Sequence, residues 1–268
     1  MGKLFIYLQY MIPHHALSRL VGFFAETKVV WLKNFCIRVF VKIYKIDMQD
    51  YAQKSTTDFA SFNDFFTREL SAKSRAVSGD ICSPVDGTIS AAGKIDNGQI
   101  FQAKGKTYSL GKLLSSGDTD DFINGSFITI YLAPNNYHRV HFPVDATLLS
   151  SEYVPGKLFS VNNVSARHIP DLFAVNERLI CDATTEHGHV SIVMIGAMIV
   201  AGIKTVWRAS PYPFKESHAE TFNTPQAYKQ GDELGQFQLG STVVLLFQGD
   251  VDWQVKSGDR IHFGEPLA

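Results

Sequence analysis

Gly240-Ser241-Thr242-Val243-Val244-Leu245-Leu246-Phe247 is the stretch from which the fold is read. After a glycine and a serine come six uncharged residues, all apolar or β-branched. The run is too short for an ordinary helix and of the right length for a strand buried on both faces. Phe127–Leu132 and Val190–Val200 have the same character. The longest apolar run, Ile192–Ile203, has twelve residues. That falls short of the roughly 18 needed to span a bilayer and suits a buried strand. From about Ile81 onward glycines and Pro/Asn/Asp clusters punctuate such runs, and Asp96-Asn97-Gly98 marks a hairpin between two of them. Leu110–Leu114 reads as one short helix. The expected fold class is α+β: a mainly antiparallel β domain behind an N-terminal amphipathic helical region.

The first 45 residues differ from the rest. They hold seven Lys/Arg against the single acid Glu26, although the whole chain has a net charge of −1. Read as a helix, Lys28–Lys45 places Lys28, Asn34, Arg38, Lys42 and Lys45 on one edge, with only Lys33 outside it. The opposite arc carries Val29, Val30, Leu32, Ile37, Phe40, Val41 and Tyr44. Such a helix suits a membrane interface, where anionic lipid attracts each basic residue by roughly 1 kcal/mol. A helix packed on its own domain with a solvated basic face has the same composition. Farther on, Phe62, Phe65 and Phe66 form an i, i+3, i+4 packing face on a short helix around Ser61–Leu70. The boundaries expected are 1–75 for the helical membrane-associating region and 76–268 for the β-rich domain.

Composition narrows the function classes. Of 268 residues, 45% are apolar and 19% charged, which excludes disordered, collagen-like and disulfide-scaffold chains. The balanced charge argues against a nucleic-acid partner. Cys36, Cys82 and Cys181 are widely spaced, with no CxxC, so neither a disulfide framework nor a zinc site is expected and a reducing compartment is. No small-residue cleavage site follows the first apolar stretch, so a signal peptide is not expected.

Three local features carry possible chemistry. Asp86 lies in the turn Ser83-Pro84-Val85-Asp86-Gly87. His138 and His141 stand in Tyr137-His138-Arg139-Val140-His141. Ser241 opens the apolar run quoted above. Flanking prolines and Val140 make the histidine segment a strand, on which positions i and i+3 point to opposite sides. That speaks against shared metal ligation and for two separate roles. Asp86, His141 and Ser241 permit a Ser/His/Asp arrangement, since triads are defined by geometry rather than chain order. No GxSxG elbow is present. The turns Ser83–Thr88 and Val255–Ile261 also look like those of a lipoyl- or biotinyl-type β-sandwich, and ordinary turn chemistry explains both as well.

Lys229-Gln230-Gly231-Asp232-Glu233-Leu234-Gly235-Gln236-Phe237-Gln238-Leu239-Gly240-Ser241-Thr242-Val243 resembles the processing site of phosphatidylserine decarboxylases. The resemblance covers the whole chain. Tyr137–His141 matches that family's paired-histidine segment, and Ser83–Gly87 its aspartate turn. Leu172–Arg178, Val193–Val200 and Phe62–Leu70 also look like family segments, and the basic N-terminus is similar to the membrane-binding helices of the bacterial enzymes.

The resemblance implies a self-cleaving proenzyme. Ser241, activated by His141 with Asp86 orienting the ring, would attack the carbonyl of Gly240. An ester, then β-elimination and loss of ammonia, would leave a β chain of residues 1–240 and an α chain of 28 residues, 241–268, headed by a covalent pyruvoyl group. That ketone would form a Schiff base with phosphatidylserine and accept the electrons released with CO₂, giving phosphatidylethanolamine without PLP or metal. His138 would act as the acid–base of decarboxylation. The family also implies a homodimer of αβ units, an anionic membrane surface as partner and a peripheral location on the cytoplasmic side of the cell (inner) membrane. Two other classes compete: a Ser-His-Asp hydrolase with Ser241 as a permanent nucleophile, and a carrier module modified on lysine. For the latter, Lys256 lacks the flanking Met or acidic residues expected.

Overall fold

A computed structural model describes residues 2–72, 74–103, 105–115, 119–198, 202–212, 216–238 and 241–268. Three helices open the chain: α1 (Gly2–Met11), α2 (His14–Ala25) and α3 (Val30–Tyr44). Lys45 ends α3 in a left-handed conformation, returning its N–H to the Val41 carbonyl. The next helix, α4 (Phe62–Phe66), starts where the Ser61 hydroxyl accepts the Asp64 N–H, an N-cap that the sequence places one residue ahead of the aromatic face. Phe65 and Phe66 are buried and Phe62 packs with them, as that spacing predicts.

What covers these phenylalanines is α3, so part of its apolar arc packs on the protein itself. Ile37 is fully buried, and Phe40 meets Phe62, Phe65 and Phe66 edge-on. Lys33, the basic residue off the edge, is buried too and donates to the Phe59 carbonyl. The apolar residues α3 leaves to solvent are chiefly Val30, Trp31, Phe35 and Ile43. A helix apolar around most of its circumference does not reveal which sector the rest of the molecule covers. No helix among the described residues is long and apolar enough to cross a membrane.

From Gly87 the chain is mainly β. It runs through β1 (Gly87–Lys94), β2 (Gln99–Ala103), β3 (Lys106–Ser109), helix α5 (Leu110–Leu114), β4 (Ser126–Leu132), β5 (Arg139–His141) and β6 (Ala146–Val154). Two short helices follow, α6 (Asn163–His168) and α7 (Leu172–Val175). The rest is β7 (Arg178–Thr185), β8 (Gly188–Gly196), β9 (Ile203–Thr205), β10 (His218–Tyr228), β11 (Glu233–Phe237), β12 (Ser241–Phe247) and β13 (Arg260–Ile261).

Eight strands form one antiparallel sheet in the order β10-β6-β7-β8-β12-β4-β1-β13, and β5-β11-β9 form a second. β12 lies in the middle, paired along its whole length with β4 and β8, and all seven residues are buried. Val243, Leu245 and Phe247 face one core, shared with Val140, Ile203, Leu234 and Phe237 of the smaller sheet. Val244 and Leu246 face the other, beneath Leu113, Leu172 and Phe173. Burial on both faces is why the run lacks the polar alternation of a half-exposed strand.

The Asp96-Asn97-Gly98 turn forms as expected, with Asn97 and Gly98 at positive φ and Asp96 exchanging both backbone hydrogen bonds with Gln99. The strands it joins nevertheless diverge. β1 pairs with β4 and β13, and β2 pairs with β3 in a separate ribbon. The two turns read as sandwich-like do come together, because Gly87 and Thr88 pair with Ile261 and Arg260.

Candidate active site

Ser241 is the first residue of β12, opposite Leu132 of β4 and Gly196 of β8. It is fully buried, and its Oγ has no hydrogen-bond partner among the described residues. By strand alternation its side chain faces the smaller sheet, with Val243 and Leu245. A buried hydroxyl with nothing to bond costs about 1–3 kcal/mol. Gly240, the other half of the expected cleavage bond, lies outside the described residues, as does Leu239.

His141 and Asp86 stand close but do not bond one another. Nδ1 of His141 donates to the Gly231 carbonyl at 2.8 Å, which leaves Nε2 as the basic nitrogen, and Nε2 accepts the Tyr137 hydroxyl at 2.9 Å. Asp86 accepts the Phe263 N–H at 2.7 Å and faces Arg75 at 3.6 Å. The connection runs through Phe263, whose ring stacks on His141 at 3.8 Å, and through the backbone, where the His141 N–H reaches the Pro84 carbonyl. The carbonyl of Gly231 therefore sets the ring's tautomer, and Asp86 sets the aromatic plate against it. Burial pushes the His141 pKa down to about 4, against the pull of the Gly231 carbonyl. The ring is neutral, and a proton acceptor, at pH 7. Burial raises Asp86, with Phe263 N–H and Arg75 opposing.

His138 occupies a different environment. It is fully buried and stacked on Phe66 at 4.1 Å, and neither ring nitrogen makes a hydrogen bond of good geometry among the described residues. The carbonyls of Ala133 and Pro134 lie near enough to favour its proton, yet burial and the Arg68 charge hold its pKa down to about 3. Ala133 directly follows Leu132, the register partner of Ser241, which brings this histidine to the Ser241 end of β4. Arg68 fixes that turn by donating to the Asn135 and Asn136 carbonyls and to the Tyr51 hydroxyl. The aromatic segment Phe62–Leu70 thus does more than fill a core: it clamps the loop that carries His138. The two histidines share no ring partner, in keeping with opposite sides of a strand.

One buried ionisable residue was not singled out by the sequence reading. Glu177 is 2% exposed, accepts the Tyr153 hydroxyl at 3.1 Å, and lies against Gly196, the register partner of Ser241. Its signal was available: Asn176-Glu177-Arg178 is a polar triplet between two apolar runs.

A family model described as phosphatidylserine decarboxylase matches residues 62–268. The chain belongs to the phosphatidylserine decarboxylase family. A second model, described as PSD, matches residues 4–45. Among relatives named phosphatidylserine decarboxylase proenzyme, that of Psychrobacter arcticus is 45% identical over 99% of this chain and 98% of its own length. The protein of Alcanivorax borkumensis is 48% identical over 91% and 87%, and that of Stutzerimonas stutzeri 46% over 99% and 94%. The phosphatidylserine decarboxylase match thus takes in every site residue described above, from the Phe62–Leu70 clamp to Ser241.

Proposed function

We propose that this chain decarboxylates phosphatidylserine to phosphatidylethanolamine and CO₂, after cutting itself between Gly240 and Ser241. The supporting observation is Ser241: an unpartnered, fully buried hydroxyl at the head of the central strand, in a chain whose relatives are named proenzymes. That orphaned atom, at the end of the central strand, suits conversion of residue 241 to a covalent pyruvoyl group. When present, such a group supplies an electron-accepting ketone for the pair released from the carboxyl carbon.

The chain's own residues move the protons. His141 takes the Ser241 hydroxyl proton on Nε2, the nitrogen that carries none, and this requires Tyr137 to release or relay its hydrogen bond. Asp86 positions His141 through Phe263. His138 serves as the acid–base of turnover: its ring is neutral at rest, so a ring nitrogen first takes up a proton and then passes it to the carbon that has lost CO₂. After the cut, β12 keeps both its neighbours, so the α chain 241–268 stays in the sheet.

The helical region docks on an anionic membrane at the cytoplasmic face of the cell membrane. Its exposed apolar residues include Tyr7, Met11, Phe23 and Trp31, and exposed Arg38, Lys42 and Lys45 accompany them. Ser241→Ala tests the central claim. The folded variant should run as one uncleaved, inactive chain in denaturing mass analysis, whereas a 28-residue fragment from it would refute the assignment.

A further inference from the structure

Asn176, Glu177 and Arg178 are consecutive and buried, and two of them are fully engaged in holding backbone. Asn176 bonds the Phe159 N–H and the carbonyls of Phe159 and Gly196. Arg178 donates to the carbonyls of Lys112, Leu113, Ala174 and Asn176. Glu177 is different. Among the described residues its side-chain hydrogen-bond partner is the Tyr153 hydroxyl, on Oε2.

The position of its other oxygen follows from Gly196. A Cβ built on Gly196 would lie 2.9 Å from Glu177 Cγ and 3.1 Å from Oε1. The carboxyl therefore lies over Gly196, on the face where a side chain at 196 would project. Gly196 and Ser241 are directly opposed on antiparallel strands, and such residues project on the same face with Cβ positions about 4.5–5.5 Å apart. Glu177 Oε1 and the Ser241 side chain thus share one face, and no side chain from 196 stands between them. Arg178, the neighbouring cation, bonds away from this face.

We propose that Glu177 receives the primary ammonium of the substrate headgroup at Ser241 and takes its proton on Oε1. This rests on the decarboxylase reading above and names the group that recognises the amine. Among the described residues no cation pairs with this carboxylate, and a buried carboxylate so placed is unfavourable unless a ligand supplies one, which a phosphatidylserine headgroup does. The proton passes from the ammonium nitrogen to Oε1, so one positive and one negative group become a neutral amine with a free lone pair and a neutral acid. Burial, opposed by the Tyr153 hydrogen bond, raises the Glu177 pKa to about 7, which suits a group that must both hold and release a proton at neutral pH. Around it stand Tyr153 on β6 and Ser241 and Gly196 on β12 and β8.

The test uses processed protein treated with borohydride, which reduces a ketone at residue 241 and stops turnover, titrated with glycerophosphoserine by calorimetry. Glu177→Gln keeps the shape and an acceptor for Tyr153, so it should still be cut to the 28-residue fragment and should bind glycerophosphoserine at least tenfold more weakly. In untreated protein its KM should rise and the acidic limb of its kcat/KM profile should vanish, while Glu177→Asp restores part of the binding. Unchanged affinity overturns the proposal, and so does failure of folded Glu177→Gln to cut, because Glu177 is assigned to a step after maturation. If that variant does not fold, wild-type protein decides: its affinity for glycerophosphoserine should fall about tenfold per pH unit below 7, and a flat profile between pH 5.5 and 8 refutes the idea. Wild-type protein that is neither cut nor active would instead remove the decarboxylase reading itself, and the binding titration reads Glu177 separately from that.

Discussion

At the scale of single residues, the two histidines divide by what surrounds them. His141 has both nitrogens bonded and a stacked ring; His138 has a stacked ring and, among the described residues, no hydrogen bond of good geometry. His141→Ala should slow cutting at Gly240–Ser241 by roughly 10²–10⁴-fold, the usual contribution of a positioned base. Asp86→Asn should slow it less, because an amide oxygen still accepts the Phe263 N–H. Timed intact-mass measurements on freshly made precursor give both rates, and unaltered cutting in both would place the base elsewhere. With the conjugate acid of His141 titrating near 4, the histidine is a free base throughout pH 6–8, and the cutting rate should be flat there. A midpoint near 6.5 would mean that the reacting ring is solvated. His138→Ala should cut normally yet form phosphatidylethanolamine roughly 10²–10⁴-fold more slowly per processed chain. Normal turnover would reduce His138 to a packing residue, and failure to cut would assign both histidines to maturation.

At the scale of elements, α3 shows what a sequence conveys about a surface and what it does not. One of its two expected roles, packing on its own domain, is seen, and a separate sector of exposed apolar residues is left over that the pattern did not distinguish. Ile37 and Phe40 pack inward, while Trp31 and Ile43 stand 71% and 66% exposed. Reversing Arg38, Lys42 and Lys45 to Glu should release the protein from anionic vesicles at moderate salt without affecting self-cleavage, because that charge attraction is screened within about 10 Å at 0.1 M. Replacing Trp31, Phe35 and Ile43 with Ser should do so even at low salt. Co-sedimentation unchanged in both would exclude this face. The same limit explains the Asp96–Gly98 turn. Local chemistry was enough to read the turn, whereas the partners of β1 and β2 depend on chain segments far away in sequence. β12 was legible because burial on both faces leaves an unbroken apolar run. Ser241, His138, His141 and Asp86 could be picked out of the sequence as candidates, but the contacts of His141 with Phe263 and the Gly231 carbonyl could not, since each comes from a distant segment. Nor did the pattern show that Tyr137, four residues earlier, turns its hydroxyl to that ring. Glu177 was hidden because its meaning depends on the missing side chain of a residue nineteen positions on, Gly196.

At the scale of the whole molecule, β12 crosses the middle of the eight-stranded sheet, and the short β13 lies at one end of it. A chain cut before Ser241 keeps every one of those hydrogen bonds but loses the covalent tether that brought β12 to its slot. Unfolding the precursor is then a unimolecular excursion that can be retraced. Unfolding the cut protein separates a 28-residue peptide from its partner, and recovery becomes a second-order search whose yield depends on concentration. A cut at that bond would convert a fold held at equilibrium into one held by the height of its unfolding barrier. Refolding from denaturant should recover Ser241→Ala at any dilution, and the processed protein only when the two pieces are concentrated.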